Sequence, residues 1–364
     1  MNTASSVQSQ RIDAVRQTLV RQQFDGFMVS IQENRHYLSG FSAHDGQFDE
    51  TAGVLFIGLE RQILITDSRY ELEARHQAPE LEVRCYRKKL AQFLVELFQE
   101  LGVQRLGFES KRVTVQQYRE IDDYLKQAGG QTTLVPTEDV VEELRLIKDR
   151  QEVDQTRAAI RLAEEAFKNV LGALIPGMTE IEVAWALEQQ MRRSGAQGVS
   201  FPVIVAAGRN SALPHAVPSD RAIRVDEPLL IDWGARLQGY CSDTTRTVSI
   251  GNANDRFKTI YRIVREAQQK AIAAMGPGVR AKQVDSVARD HIAAAGYGDF
   301  FGHGLGHGTG LAIHEAPRLS PLSDDTLQPG MICTVEPGIY LPDWGGIRLE
   351  NQVLITDAGV EVLT

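Results

Sequence analysis

With 364 residues and Lys+Arg 39 against Asp+Glu 48, the chain has a formal net charge of -9, which disfavours a sequence-independent grip on phosphate backbones or anionic membranes. Nucleic acid and membrane are therefore not expected partners. The length favours two domains over one core, and 43% hydrophobic with 24% charged residues excludes disorder and fibrous repeats.

The chain starts with a polar stretch, Met1 to Gln10, that contains no apolar segment, and no later run approaches the ~20 apolar residues needed to cross a bilayer. Cys85, Cys241 and Cys333 are far apart and form no C-x-x-C pair, so neither a disulfide framework nor a zinc knuckle is implied. A reducing compartment, the cytoplasm, is expected.

From Gln10 to Pro136, short apolar runs alternate with helical patterns. Phe27–Val29, Val54–Ile57, Ile63–Ile65, Leu81–Val83 and Leu106–Phe108 read as strands, and Leu90–Leu101 and Val115–Leu125 as helices. This is an α/β domain. It has neither G-x-G-x-x-G nor G-x-x-x-x-G-K-[ST], so it offers no nucleotide cradle. From Thr137 to Lys168 the chain is rich in charges and helix formers, and Leu144, Ile147, Val153 and Ile160 predict a long connecting helix. The boundary is placed near residue 140, giving domains 1–140 and 141–364.

The second domain echoes itself. Pro176-Gly177, Val183, Gly195 and Pro228 recur as Pro277-Gly278, Val284, Gly296 and Pro329, each offset by 101 positions. Thr179-Glu-Ile-Glu182 is a capping box for a helix that follows the first Pro-Gly. A single recurrence is too few for a solenoid and predicts a duplicated half-domain with a pseudo-twofold axis.

Each half carries paired acids. Between Leu229 and Ile250, a hairpin centred between Leu237 and Gln238 would set Asp232 opposite Asp243; a second, centred on Asp343, would set Glu336 opposite Glu350. Like charges facing each other across strands are destabilising, and burial would drive proton uptake, so such a cluster requires cations. The glycine-rich loop from Phe301 to Pro317 carries His303, His307 and His314, and its glycines let the backbone approach a site closely. One imidazole with four carboxylates is a hard, oxygen-rich ligand set that suits two divalent ions, Mn(II) first, with Co(II) or Zn(II) as alternatives. Two metals about 3.5 Å apart provide a nucleophile from water and a Lewis acid, so the expected chemistry is hydrolysis of an amide or similar bond. Residues 314–318 lack the second histidine of a zincin helix, and there is no G-x-S-x-G elbow.

At these motifs the chain resembles the pita-bread metallopeptidases, the family of methionine aminopeptidase, prolidase, aminopeptidase P and the metal-free creatinase. The resemblance rests on Asp232-x-Gly, Cys241-Ser-Asp-x-Thr-Arg-Thr, the His-Gly loop ending in Ile313-His-Glu, Val335-Glu-Pro-Gly-Ile-Tyr, and Gly346-Ile-Arg-Leu-Glu. It implies an α+β fold, with a pita-bread catalytic domain behind a smaller α/β creatinase-type N-terminal domain. It further implies that Asp232 chelates one metal, that His307 and Glu336 hold the other, and that Asp243 and Glu350 bridge the two. By the same resemblance His314 stabilises the tetrahedral intermediate or contacts the peptide, Glu336 shuttles a proton, His215 and His303 frame the pocket, and Tyr340 and Arg348 line it.

The implied activity is an Xaa-Pro aminopeptidase acting on proline-containing peptides, with an Xaa-Pro dipeptidase as the alternative; a homodimer is expected. A proline bond is a tertiary amide without N–H, and its fixed φ presents a compact ring to a shaped pocket. Readings of another class are a metal-free creatinase-like amidinohydrolase and a non-catalytic binding protein with the same fold.

Overall fold

Alternating apolar runs and amphipathic segments in the first 145 residues fold as a sheet with covering helices. This is seen in a computed structural model, which describes residues 6–46 and 50–364. The chain divides into two units, Met1–Arg145 and Leu146–Thr364. In the first, α1 (Val7–Gln22), β1 (Gly26–Val29), α2 (Gln32–Ser39), β2 (Val54–Gly58), β3 (Gln62–Thr66) and α3 (Glu71–Gln77) come first. They are followed by β4 (Glu82–Cys85), α4 (Leu90–Glu100), β5 (Arg105–Glu109), α5 (Val115–Gln127) and β6 (Thr133–Thr137).

The sheet order is β4-β3-β2-β1-β5-β6. Strand β1 runs parallel to β5 and antiparallel to β2. The apolar core between this sheet and α4 and α5 includes Met28, Phe56, Leu94, Phe98, Leu106 and Ile121. Strand β6 is absent from the sequence reading: Pro136 interrupts its pattern and has no N–H to donate, and the strand is tolerated because it sits at the sheet edge.

The long helix expected over residues 137–168 is two helices. A short α6 (Glu142–Leu146) precedes α7 (Arg150–Ala173). The break lies where Asp149 caps α7: its Oδ1 accepts from the Glu152 backbone N–H at 2.9 Å, while Glu152 Oε2 accepts from the Asp149 N–H at 3.0 Å.

The second unit continues with α8 (Glu180–Arg193), β7 (Gly198–Val199), β8 (Ile204–Ala207), β9 (Pro228–Trp233), β10 (Ala235–Leu237), β11 (Tyr240–Cys241) and β12 (Thr244–Ser249). After α9 (Asp255–Ala273) and α10 (Ala281–Ala294) come β13 (Gly306–Gly308), β14 (Glu315–Leu319), β15 (Ile332–Val335), β16 (Gly338–Leu341), β17 (Gly345–Arg348), β18 (Asn351–Thr356) and β19 (Gly359–Val362). The fold is α+β with the two-domain plan of the pita-bread proteins.

The internal echo is structural. Gly177 donates to the Ile223 carbonyl at 2.9 Å and Ile223 to that of Met178 at 2.8 Å; Gly278 and Leu327 repeat this with Leu327 and Val279 at 2.8 and 2.9 Å. Helices α8 and α10 begin 101 residues apart, Val183 and Val284 are both fully buried, and each half packs its own apolar cluster. The halves join through Thr247, whose hydroxyl donates to the Arg348 carbonyl at 2.9 Å, and through Glu350 N–H, which donates to the Thr245 carbonyl at 3.1 Å. This contact brings the acid-bearing strands of the two halves side by side.

Candidate metal centre

The first hairpin turns one residue later than the sequence reading places it. Gln238 and Gly239 both adopt positive φ, 51° and 85°, the requirement of a two-residue type I′ turn. The register therefore moves by two, and Asp232 pairs with Thr245 instead of Asp243. Side chains alternate with period two, so a shift of two leaves both carboxylates on the same face. The second hairpin keeps the expected register. Val335 pairs with Asn351 and Gly338 with Arg348, so Glu336 lies across from Glu350.

Ligand atoms of Asp243, His307 and Glu350 lie within 4.8 Å of one another. His307 Nε2 stands 3.5 Å from Asp243 Oδ2 and 3.4 Å from Glu336 Oε1. The imidazole is brought in by β13, whose flanking glycines are required: a Cβ on Gly306 would meet the Thr334 carbonyl at 2.1 Å, and one on Gly308 the Ala316 carbonyl at 2.0 Å. Asp232 is held by Arg348, whose Nη2 donates to Oδ2 at 2.7 Å, while the other Asp232 oxygen is buried with no hydrogen-bond partner among the described residues.

Asp232, Asp243, His307, Arg348 and Glu350 are all buried, and the Glu336 side chain is 17% exposed. Four carboxylates thus face one guanidinium, an excess of negative charge that protein interiors do not tolerate without cations or proton uptake. The orphaned Asp232 oxygen, the clustered donor atoms and the oxygen-rich set all fit divalent ions.

The remaining site residues surround this cluster. His303 Nε2 lies 2.9 Å from the Tyr340 hydroxyl, which accepts from Arg348 Nη1 at 3.0 Å. Tyr340 is buried and His303 half-buried; His215 and His314 are exposed. The His314 ring meets His307 edge-on at 4.4 Å between centroids. The Arg348 donors are committed inside the protein, Nε to Thr245 Oγ1 at 3.1 Å and Nη1 also to the Pro214 carbonyl at 3.2 Å.

With this geometry, residues 154–357 match metallopeptidase family M24 and residues 11–147 the creatinase/prolidase N-terminal domain. The chain belongs to metallopeptidase family M24. It is a hydrolase, and its family implies divalent metal ions. This M24 chain is 35% identical over 358 residues to an Xaa-Pro dipeptidase of Pyrococcus horikoshii, covering 98% of this chain and 97% of the relative. Among solved structures, an Xaa-Pro dipeptidase from Bacillus anthracis matches with TM-score 0.91 and 39% identity over 98% of this chain and 97% of that one. An X-Pro aminopeptidase from Thermotoga maritima matches with TM-score 0.86 and 37% identity over 95% of this chain and 97% of that one.

Burial and mutual repulsion raise Asp243 and Glu350 well above the usual carboxylate range. Burial pushes Glu336 up to about 7 and raises Asp232, with the Arg348 charge opposing in both cases. The imidazoles move the other way: burial, with the His314 charge adding to it, takes His307 down to about 3, and burial takes His303 to about 4. The neutral imidazole is free to ligate a cation, and bound cations would displace the protons that the buried acids hold in their absence.

Three supporting residues escape the sequence reading. Thr245 Oγ1 donates to Glu350 Oε2 at 2.6 Å; Thr334 Oγ1 donates to Glu336 Oε1 at 3.1 Å and accepts from His307 N–H at 3.0 Å. Gln352 Oε1 accepts from the Asp243 N–H at 2.9 Å and its Nε2 donates to Thr309 Oγ1 at 2.8 Å. Each is two residues from an acid, Thr245 from Asp243, Thr334 from Glu336 and Gln352 from Glu350, so strand periodicity was the available signal.

Proposed function

We propose that this chain is a dinuclear Xaa-Pro dipeptidase in which Asp232, Asp243, His307, Glu336 and Glu350 hold two Mn(II) ions. The observation that carries the reading is the convergence of four carboxylates and one neutral imidazole from both halves of the second unit onto one point. Dipeptidase relatives spanning nearly the whole chain favour this substrate length over the aminopeptidase expected from the motifs. The buried free thiols of Cys241 and Cys333 support a cytoplasmic setting.

Bound divalent ions would supply Lewis acidity at the scissile carbonyl and a water-derived nucleophile at neutral pH. Within the chain, Asp243 and Glu350 would bridge the ions and Asp232 would hold one of them, kept in position by Arg348. Glu336, a carboxylate beside the ions, would pass a proton towards the leaving proline nitrogen. His314, exposed beside His307, donates to the developing oxyanion, and His215 and His303 border the substrate space. Tyr340 and Arg348 form the wall behind it, linking His303 to Asp232.

The test is hydrolysis of Ala-Pro beside Ala-Pro-Ala by Mn(II)-supplemented protein. Cleavage of the dipeptide with the tripeptide left intact is expected. Faster cleavage of Ala-Pro-Ala would replace this reading with the aminopeptidase, and cleavage of neither would exclude both.

A further inference from the structure

The first unit contains a cavity of 370 Å³ that owes nothing to the metal cluster. Met28 and Ser30 reach it from the end of β1, Arg69 from beyond β3, Tyr86 from beyond β4, and Arg112 and Val113 from beyond β5. Val54 lines it from the start of β2, which is antiparallel to β1 and so begins at the same edge of the sheet. Helices α4 and α5 close its sides with Leu94 and Ile121. The crevice outside the carboxyl ends of the strands, between covering helices, is where open α/β sheets bind ligands, and the volume lies in the range of small-molecule sites.

Its chemistry is two-faced. Met28, Val54, Leu94, Val113 and Ile121 make an apolar floor. At the rim stand three cations, Arg69, Lys89 and Arg112, against Glu50 and Glu120. Two of the cations are already engaged, Arg69 with Asp67 at 2.8 Å and Arg112 with Asp45 at 3.3 Å. Lys89 is exposed, and its ammonium has no ion-pair or hydrogen-bond partner among the described residues. The start of α4 lines the same space through Leu90 and Ala91, with no capping side chain and no acidic residue in its first turn, so its field adds to that of Lys89.

We propose that this cavity is a binding site for a small organic monoanion with an apolar body, its hydrocarbon part on the Leu94 and Ile121 floor and its carboxylate at Lys89. The site lies entirely within the first unit and does not depend on the peptidase reading. A fatty acid and an aromatic or peptide-derived acid share this chemistry.

Isothermal titration calorimetry on the metal-loaded protein tests it, with octanoate, 3-phenylpropionate, 1-octanol and inorganic phosphate as probes. Saturable binding of a carboxylate probe is expected, with the tighter of the two identifying the source. Octanol and phosphate should each bind at least roughly tenfold more weakly, because one lacks the charge and the other the apolar body. Lys89→Glu should weaken carboxylate binding at least roughly tenfold while leaving Xaa-Pro turnover unchanged. Val113→Trp, which fills the cavity from its partly exposed side, should abolish binding. No saturation by either carboxylate, phosphate binding as tight as octanoate, or wild-type affinity in both variants overturns the proposal; the last would locate the carboxylate elsewhere, as at the metal cluster.

Discussion

Replacing Arg348 with Met removes the buried guanidinium that pairs with Asp232 while keeping most of the side-chain stem. In the native chain this group is 3% exposed and reaches Asp232 at 2.7 Å, the Tyr340 hydroxyl at 3.0 Å, Thr245 at 3.1 Å and the Pro214 carbonyl at 3.2 Å. Removing one partner of a buried ion pair costs about 3–5 kcal/mol, because the other charge stays buried and uncompensated. For a unit of this size each kcal/mol moves Tm by about 2–4 °C, so a fall of about 6–20 °C is expected by calorimetry of the metal-free protein. Saturating Mn(II) should recover part of the loss, since a cation bound to the native state alone stabilises it and would neutralise Asp232 directly. Arg348→Lys should fall between the two, keeping the charge and losing the planar fork. A metal-free Arg348→Met protein melting within about 2 °C of wild type would refute the view that the buried Arg348–Asp232 pair stabilises the fold.

Asp243→Asn should bind fewer than two Mn(II) ions per chain and lose activity, because an amide contributes no charge to either ion; elemental analysis and a dipeptide assay check it. His314→Ala should keep its metals and a near-normal KM while kcat falls roughly 10² to 10³-fold, whereas a purely packing role predicts a lower Tm with turnover kept. Stability without metal should also depend on pH. Without cations, Asp243 and Glu350 keep protons in the native state that the unfolded chain has released, and a raised folded pKa gives stability that is lost as pH rises through it. Between pH 7.5 and 8.5, His303 and His307, with lowered values, are largely neutral in both states and add little slope. Metal-free stability should therefore fall as pH rises across that window. Saturating Mn(II) should remove this slope, while the buried thiols affect both forms alike; a metal-free stability that stays flat or rises contradicts the reasoning.

The sequence was most legible where a local rule had a single solution. The strands of the first unit follow from apolar runs, and the duplication follows from Pro-Gly pairs that hold matching backbone bridges to Ile223 and Leu327. It was less legible where one residue decides a register. Gln238 takes a positive φ that its side chain does not advertise, and this moved the partner of Asp232 from Asp243 to Thr245. The two carboxylates still share a face after that shift, because two strand positions return to it. Strand β6 and the split between α6 and α7 were hidden for opposite reasons: Pro136 broke a pattern that the sheet edge tolerates, and helix-forming residues masked the cap at Asp149. Thr245, Thr334 and Gln352 were readable only after the strands were known, since hydroxyl and amide side chains on a strand have no meaning until an acid is placed beside them.

If five residues from two similar half-domains hold a pair of ions that hydrolysis of Xaa-Pro dipeptides requires, activity must track metal content. The most direct measurement is metal stoichiometry against Ala-Pro turnover during stepwise chelation and Mn(II) return on one preparation. Close to two ions per chain at full activity, with turnover lost as they leave and regained as they return, is the predicted result. Full turnover with less than one ion per chain would contradict it.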